Sequence, residues 1–572
     1  MHRNNRFMWD NDILLVNKQP ATFDDIVEYV ARRFGDVLTE DVYERGVDKK
    51  TIKERVEEKN KIRMALKNCT FGDVKAKEII KEYIRQILLK DLKITKDNIG
   101  CLFPFEHRNQ KLNKLRGEQS SQDRFDIMLY LYKKDYGADA MNRFISDYGL
   151  DAAKYNENGD CYYDITKEDI DKAYEKMSVY MLNFIDKLGI LVQRVYQMYK
   201  GNGVIDEIRD MHIDGVSGGV SGIPAESINN DKEMVKLPKS YDSIWIFFKG
   251  KSIHLSFLSF GGEKELIRVC KNIYKYNNPG QLSQATGFIV NEMQDGSRVS
   301  VARPPFCENW VFFVRKFDSI GWHDMDSLIT DKGNELVIAL IKYLIKGCQI
   351  VGITGEQGSG KTTLLMSLVS YISPAYNLRI QELSFELHLR KKYPDRNIVT
   401  FRETNTVSGQ EGLDYQKKTE GTVNILGEVA SNPVANWLIQ MAQVGSLFTL
   451  FTHHAKTTKD LVISMRNALL MEGGFNNERI ATEQVSNTLN FDIHMKKDIN
   501  GHRYIERITE IIPNKNIGGN LTEDMFCTRD IIVFDKGVYK KVGSISNRRA
   551  KEISEYFSIE EKDEFMRIFA YE

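Results

Sequence analysis

At 572 residues the chain is too long for one hydrophobic core, and three or so domains are expected. Hydrophobic residues at 42%, charged residues at 28% and only 11 prolines exclude a largely disordered chain. Lys plus Arg and Asp plus Glu both number 80, a balance that argues against bulk nucleic acid as the main partner.

Seven cysteines, at 69, 101, 161, 270, 307, 348 and 527, stand singly with no CxxC pair, as expected in a reducing cytosol. The opening MHRNNRFMWDNDILL has no apolar run after its basic residues, and no stretch of 18 apolar residues occurs. The expectation is a cytoplasmic protein that meets a membrane only through partners.

Residues 1–205 read as a helical, charged N-terminal region, with threonine caps at Thr22 and Thr166, each followed three positions on by Asp25 or Asp169. Mixed charges over 49–67 describe a solvated helix face. Ile170, Ala173, Met177, Met181, Phe184, Leu188, Leu191 and Val195 recur at helical spacing, predicting one long helix from Thr166 to Tyr199 with a packed core stripe. Gly215 to Gly222 is too glycine-rich for a helix interior and predicts a turn or linker, with a domain boundary near 205–238.

Residues 206–320 read as a small α+β domain. Its strands are Ile244 to Phe248 and Ile253 to Phe260 around a Lys-Gly-Lys turn. A helix follows over 263–276, then an Asp295-Gly296 hairpin and the apolar run Trp310 to Val314. From Ile350 apolar runs alternate with helical stretches: Ile350 to Thr354, Leu378 to Leu383, Ile398 to Phe401, Val423 to Leu426 and Leu447 to Phe451. That alternation predicts an α/β domain over 321–515 with a mainly parallel sheet, ending in a hairpin at Asn500-Gly501. Residues 516–572 are expected to extend it.

Gly355-Glu-Gln-Gly358-Ser359-Gly360-Lys361-Thr362 satisfies G-x-x-x-x-G-K-[ST], between a strand and a helix expected over Thr363 to Ile372. The glycines let loop amides face phosphates, Lys361 adds a point charge for the β- and γ-phosphates, and the Thr362 hydroxyl suits magnesium. ATP and Mg2+ are therefore the expected cofactors, with Thr363 completing the loop. Val423-Asn-Ile-Leu-Gly-Glu428 is an apolar strand ending in a carboxylate at the edge where such folds bind ligands. Glu428 is thus a candidate for polarising water directly or through the magnesium shell. Glu382 and Glu386 follow the strand at 378–380; on a helix their i,i+4 spacing aligns both carboxylates, for metal or water contact by Glu382 or merely as a solvated helix start. Of His453 and His454, one is expected to sense the γ-phosphate and the other to be structural, with His454 preferred for sensing.

Together these blocks resemble the secretion ATPase superfamily of type II, type IV pilus and type IV secretion systems, and most closely its CpaF-like members from Tad/Flp pili. The resemblance covers about 205–512 through Asp295-Gly-Ser-Arg298, Arg303-Pro-Pro, Arg315-Lys-Phe, the P-loop, Glu382 to Leu387, Gly427-Glu-Val and His454-Ala. It implies an α/β architecture: a RecA-like P-loop motor domain preceded by a small α+β, PAS-like domain and a helical N-terminal region. It also implies a homo-oligomer, a hexameric ring, working on an inner-membrane platform protein of a pilus or secretion machine, without nucleic acid. By motif position Arg298 and Arg315 are the arginines that close on the nucleotide, with Arg303 a weaker candidate or all three serving in ordinary ion pairs.

Several positions depart from that pattern. Leu383 stands where an aspartate is common, Ala430-Ser431 replaces Arg-Gly, Ala442-Gln443 replaces Gly-His, and Ser464 occupies the place of an arginine. Beside the leading expectation of an ATP-driven filament or secretion motor, two alternatives stay open: a nucleotide-gated scaffold with little hydrolysis, and the ATPase of a conjugative type IV secretion apparatus. A helicase is disfavoured by the absence of a basic and aromatic strip.

Overall fold

The computed structural model describes residues 7–10, 13–16, 19–39, 49–102, 119–177, 182–224, 237–277, 279–317, 324–383, 385–404, 406–498, 501–514 and 525–570. The chain divides into two compact units, Met1–Ser319 and Ile320–Glu572. Among the described residues no helix is long and apolar enough to cross a membrane.

The first unit opens with three short antiparallel strands, β1 (Phe7–Asp10), β2 (Ile13–Val16) and β3 (Gln19–Pro20). Helices α1 (Phe23–Thr39), α2 (Lys49–Asn68) and α3 (Val74–Gln86) follow, then α4 (Ser121–Tyr136) and α5 (Ala140–Tyr148). A small hairpin, β4 (Lys154–Tyr155) and β5 (Cys161–Tyr162), leads to β6 (Asp164–Ile165). The expected long helix is two helices, α6 (Lys167–Lys176) and α7 (Phe184–Tyr199). Met177 is already extended at φ −66°, ψ 110°, and Met181 lies outside the described residues. The reason is a second capping box: Asn183 accepts from the amide of Asp186, whose carboxylate accepts from the amide of Asn183, so a new helix begins there. One core gathers α1, α2, α3 and α7 around Phe34, Ile80 and Leu191.

After α8 (Asp206–Asp210) comes β7 (Gly215–Gly218), a fully buried strand where a linker was expected. Its neighbours in the seven-stranded sheet are β8 (Ile244–Phe248) and β12 (Val311–Arg315); β9 (Lys251–Leu255), β10 (Phe288–Glu292), β11 (Arg298–Ala302) and β6 complete it. The order is β10-β11-β12-β7-β8-β9-β6, antiparallel except for the β6–β9 pair. Close packing explains the glycines: a Cβ on Gly215 would stand 2.4 Å from the Val314 carbonyl oxygen, and one on Gly218 2.4 Å from the Phe312 ring. Lys249 and Gly250, both at positive φ, form the two-residue turn between β8 and β9. The turn at Asp295-Gly296 joins β10 to β11. Helix α9 (Glu263–Ile273) covers the inner face, burying Leu266, Val269 and Ile273.

The second unit is a nine-stranded sheet in the order β15-β14-β16-β17-β13-β18-β19-β20-β21. Its parallel part comprises β13 (Val351–Gly355), β14 (Leu378–Glu382), β15 (Ile398–Arg402), β16 (Val423–Leu426), β17 (Phe448–His453) and β18 (Phe491–Lys497). Residues of β13 and β16 are buried throughout, as strands covered on both faces require. Helices α10 (Asn334–Lys346), α11 (Lys361–Leu368), α12 (Asn432–Val444), α13 (Thr458–Met471) and α14 (Glu478–Thr488) flank them. Helix α11 is shorter than expected and gives way to one 3-10 turn at Val369–Tyr371.

The hairpin of β18 and β19 (Arg503–Pro513) is present, with Asn500 outside the described residues. The sheet does not stop there: β20 (Phe526–Asp535) and β21 (Val538–Lys541) extend it antiparallel. Helices α15 (Asn547–Ser554) and α16 (Ile559–Phe569) close the chain; Glu564 and Glu561 of α16 bind Tyr343 and Lys346 of α10 at 2.8 and 2.6 Å.

Two glycines should respond oppositely to alanine. Gly218→Ala overpacks the sheet and is expected to cost about 1–3 kcal/mol. Gly35→Ala, exposed within α1 with open space around its Cβ position, is expected to gain about 0.5–1 kcal/mol. Urea denaturation of the two variants against the parent chain measures both signs.

Candidate active site

Strand β13 ends at Gly355, whose φ of 138° and lack of a side chain are both required: a Cβ there would stand 2.2 Å from the Met495 carbonyl oxygen of β18. Gly358 and Gly360 also take positive φ, at 77° and 98°, so the loop turns back over the start of α11. The helix has Gly360 as its N-cap and no side-chain cap, leaving its first-turn amides to an anion. Ser359 is fully buried and its hydroxyl donates to the Glu356 carbonyl at 2.9 Å, bracing the loop from within. The Lys361 ammonium donates to the carbonyls of Gly355 and Glu356 at 3.0 and 2.8 Å. Thr362 and Thr363 follow, half-buried, on the first turn of α11.

Strands β14, β16 and β17 run parallel to β13 and end at the same edge of the sheet as the loop. His454, just after β17, stands with Nδ1 3.4 Å from Lys361 Nζ and Nε2 3.3 Å from the Glu428 carboxylate beyond β16. An ammonium only donates, so Nδ1 accepts and the imidazole proton sits on Nε2, aimed at Glu428. His453 is held differently: Nδ1 donates to the Val429 carbonyl at 2.7 Å, and Nε2 is 3.0 Å from the Ser464 hydroxyl. Burial pushes its pKa below the usual histidine value, keeping it neutral. Ser464, at the position where the resemblance implies an arginine, is therefore the partner of His453.

Glu382 ends β14 and is only 4% exposed. Its Oε1 accepts the amides of Glu386 and Leu387 at 2.9 and 2.7 Å, so this carboxylate clasps the following loop. No helix carries Glu382 and Glu386 together, because the next helix begins only at Leu389; the aligned pair expected from i,i+4 spacing is not formed. Glu386 is half-buried and Leu383 is 48% exposed. Arg298 and Arg315 belong to the first unit, where they are cross-strand partners on β11 and β12, with the Arg298 guanidinium 5.9 Å from the Phe317 ring. Arg303 donates to the Pro304 carbonyl at 3.0 Å and lies over Trp310.

Two features escaped sequence reasoning. Arg503 at the start of β19 donates from Nε to the Gly358 carbonyl at 2.9 Å, reaching the P-loop from the strand beyond β18. Beneath the loop, the Thr354 hydroxyl lies 2.6 Å from Asp492 Oδ1 and 2.8 Å from His494 Nδ1, and the Thr458 hydroxyl lies 2.7 Å from Asp492 Oδ2. Within Phe491 to Lys497 these polar residues looked like ordinary strand alternation; only the register Thr354↔His494 brings them to the loop.

The residues fit a nucleoside triphosphate with magnesium: uncapped helix amides, a turn of three positive-φ glycines of which Gly355 has no room for a Cβ, a lysine across the loop and a threonine hydroxyl beside it. Among the described residues no group of three His, Cys, Asp or Glu forms a metal cage.

The sequence matches no protein-family model and none of the curated proteins. Similar solved structures include the VirB11 ATPase of the Brucella suis type IV secretion system in complex with sulphate, at 17% identity and TM-score 0.27, covering 52% of this chain and 89% of that one. The Legionella pneumophila ATPase DotB is similar at 13% identity and TM-score 0.33, covering 64% and 85%. The pilus retraction motor PilT with bound ADP is similar at 12% and 0.35, covering 63% and 86%. These likenesses are slight, and the reading of the site rests on its own geometry.

Burial and the Arg507 charge bring the His494 pKa down to about 4. The unfolded chain therefore takes up this proton first, and stability is lost as pH falls from about 6.5 towards 4, by at most about 1.4 kcal/mol per pH unit. Burial of Asp492 raises its pKa and acts with the opposite sign. The His494 part is thus the difference between the parent chain and His494→Gln, read from urea midpoints between pH 7 and pH 4.5; equal slopes would refute it.

Proposed function

We propose that this chain binds Mg-ATP at the P-loop and hydrolyses it. The observation that carries the reading is the contact of His454 with both Lys361 and Glu428 at the mouth of an uncapped helix. In this reading the loop amides and Lys361 hold the phosphates, and the Thr362 hydroxyl is the group that would hold magnesium, whose charge would offset that of the phosphates. Glu428 orients and deprotonates the attacking water, while His454 reports on the γ-phosphate because it touches the lysine that binds it. Glu382 acts by shaping the loop that presents Glu386.

The sequence resemblance supports a finer reading: a RecA-like motor of the type II/IV secretion ATPase class, CpaF-like, working as a hexamer at the cytoplasmic face of a membrane. It would drive assembly of a pilus-like filament or secretion through a platform protein. In that reading Arg298 and Arg315, cross-strand partners on β11 and β12, are the arginines that would act on a nucleotide, and residues 1–205 would dock a partner. Exposed Leu383 in the place of an acid favours one second reading, a nucleotide-gated scaffold with slow turnover.

Phosphate release across a protein concentration series, with sedimentation in parallel, tests both. The motor reading expects turnover that rises with assembly, requires Mg2+, and falls about 100- to 1,000-fold in Glu428→Gln with nucleotide binding retained. Lys361→Ala is expected to weaken binding about tenfold or more, the loss of a charge-assisted contact. Binding without phosphate release at every concentration would leave the scaffold; no binding would remove both.

A further inference from the structure

The carboxylate of Asp492 lies at the centre of the second unit, fully buried in β18. A buried acid is costly unless well bonded, and an apolar residue would serve the sheet better. Burial raises its pKa, and both oxygens are engaged by threonines from different elements. Thr354 immediately precedes Gly355 of the P-loop. Thr458 opens α13, directly after the four residues His454, Ala455, Lys456 and Thr457 that leave β17. Arg507 of β19 donates to the Lys456 carbonyl at 3.3 Å, a second tether on the same short loop.

We infer that Asp492 is a positioning residue: through Thr354 and Thr458 it ties the base of the P-loop to the loop bearing His454, setting His454 against Lys361 and Glu428. This rests on the ATP-hydrolysing reading above. The geometry leaves little slack, because His454 has three residues between it and Thr458, and its ring must meet an ammonium on one side and a carboxylate on the other. His494 completes the tie. The Thr354 hydroxyl gives its proton to Asp492 and accepts from Nδ1–H of neutral His494, so one hydroxyl fixes both side chains. The two threonines then have separable effects, Thr458 on the histidine loop and Thr354 on the phosphate loop.

The test uses the full chain, steady-state phosphate release with ATP, and binding of a fluorescent ADP analogue. Thr458→Val, nearly isosteric, is expected to lower kcat about 10- to 100-fold while KM stays within about threefold, the effect of misplacing a site group by about an ångström. Thr458→Ser, which keeps the hydroxyl, should restore kcat to within about threefold, and Asp492→Asn should resemble Thr458→Val. Thr354→Val should instead weaken the ADP analogue about tenfold relative to Thr354→Ser, a readout that needs no hydrolysis. Parent-like kcat in Thr458→Val, or equal losses in its Val and Ser variants, together with unchanged ADP affinity in Thr354→Val, would overturn the inference. A parent chain that binds ADP through Lys361 but releases no phosphate defeats the hydrolysis reading alone, and the Thr354 pair then decides the tie. A parent chain that binds no nucleotide removes both.

Discussion

The second unit depends on the approach of two backbones, Gly355 of β13 and Met495 of β18, in a parallel pair that leaves no room for a Cβ. That contact fixes where β13 stops and where the P-loop begins. Because β14, β16 and β17 run parallel to β13, their carboxyl ends reach the same edge of the sheet as the loop. Glu382, Gly427-Glu428 and His453-His454 are therefore placed by sheet direction first and by side-chain bonding second. The fully buried strands make that direction rigid, which a site built from several strand ends requires.

Much of this was legible because local chemistry and global fold agree there. The P-loop has its strand before it and its helix after it. The Asp295-Gly296 and Lys249-Gly250 turns sit where turn chemistry puts them, and the apolar run of β16 leads straight to Glu428. What could not be read depends on contacts distant in sequence. Gly215 to Gly218 carries the composition of a linker, and only the packing of Phe312 and Val314 shows why a strand needs glycine there. Asp492 meets Thr354 across 138 residues. The break between α6 and α7 was written in the sequence as Asn183-Phe-Ile-Asp186, but a continuous apolar period across 170–195 masked a local capping signal.

Zero net charge conceals a concentrated ionic core in the first unit. Lys77, buried on α3, forms ion pairs with Asp206, Glu207 and Asp210 of α8, and these carboxylates push its pKa well above the usual lysine value. Lys77, Lys133 and Lys81 bring Glu207 down to about 2. Arg209 of the same helix pairs with Asp295 in the β10–β11 turn, and Gly72 packs against that aspartate. Removing one member of such a network strands the others, at about 3–5 kcal/mol. The N-terminal helices are thereby fastened to the hairpin from which Arg298 extends, so that their packing and the placement of this arginine are one problem.

The acids of the second unit divide their labour in a way that bears on chemistry. Glu382 spends one oxygen on two backbone amides and is only 4% exposed, so it is committed to holding its own loop rather than to meeting solvent. Leu383 adds no charge, and Asp492 is sealed inside the sheet. Of these strand-end acids, Glu428 alone combines partial exposure with a contact to His454, and through it with Lys361. On the ATPase reading, water activation therefore concentrates on Glu428, and its efficiency turns on how firmly the His454 loop is held. On that reading, reliance on one such acid brings control at the expense of redundancy: a small shift of that loop would separate phosphate binding from hydrolysis.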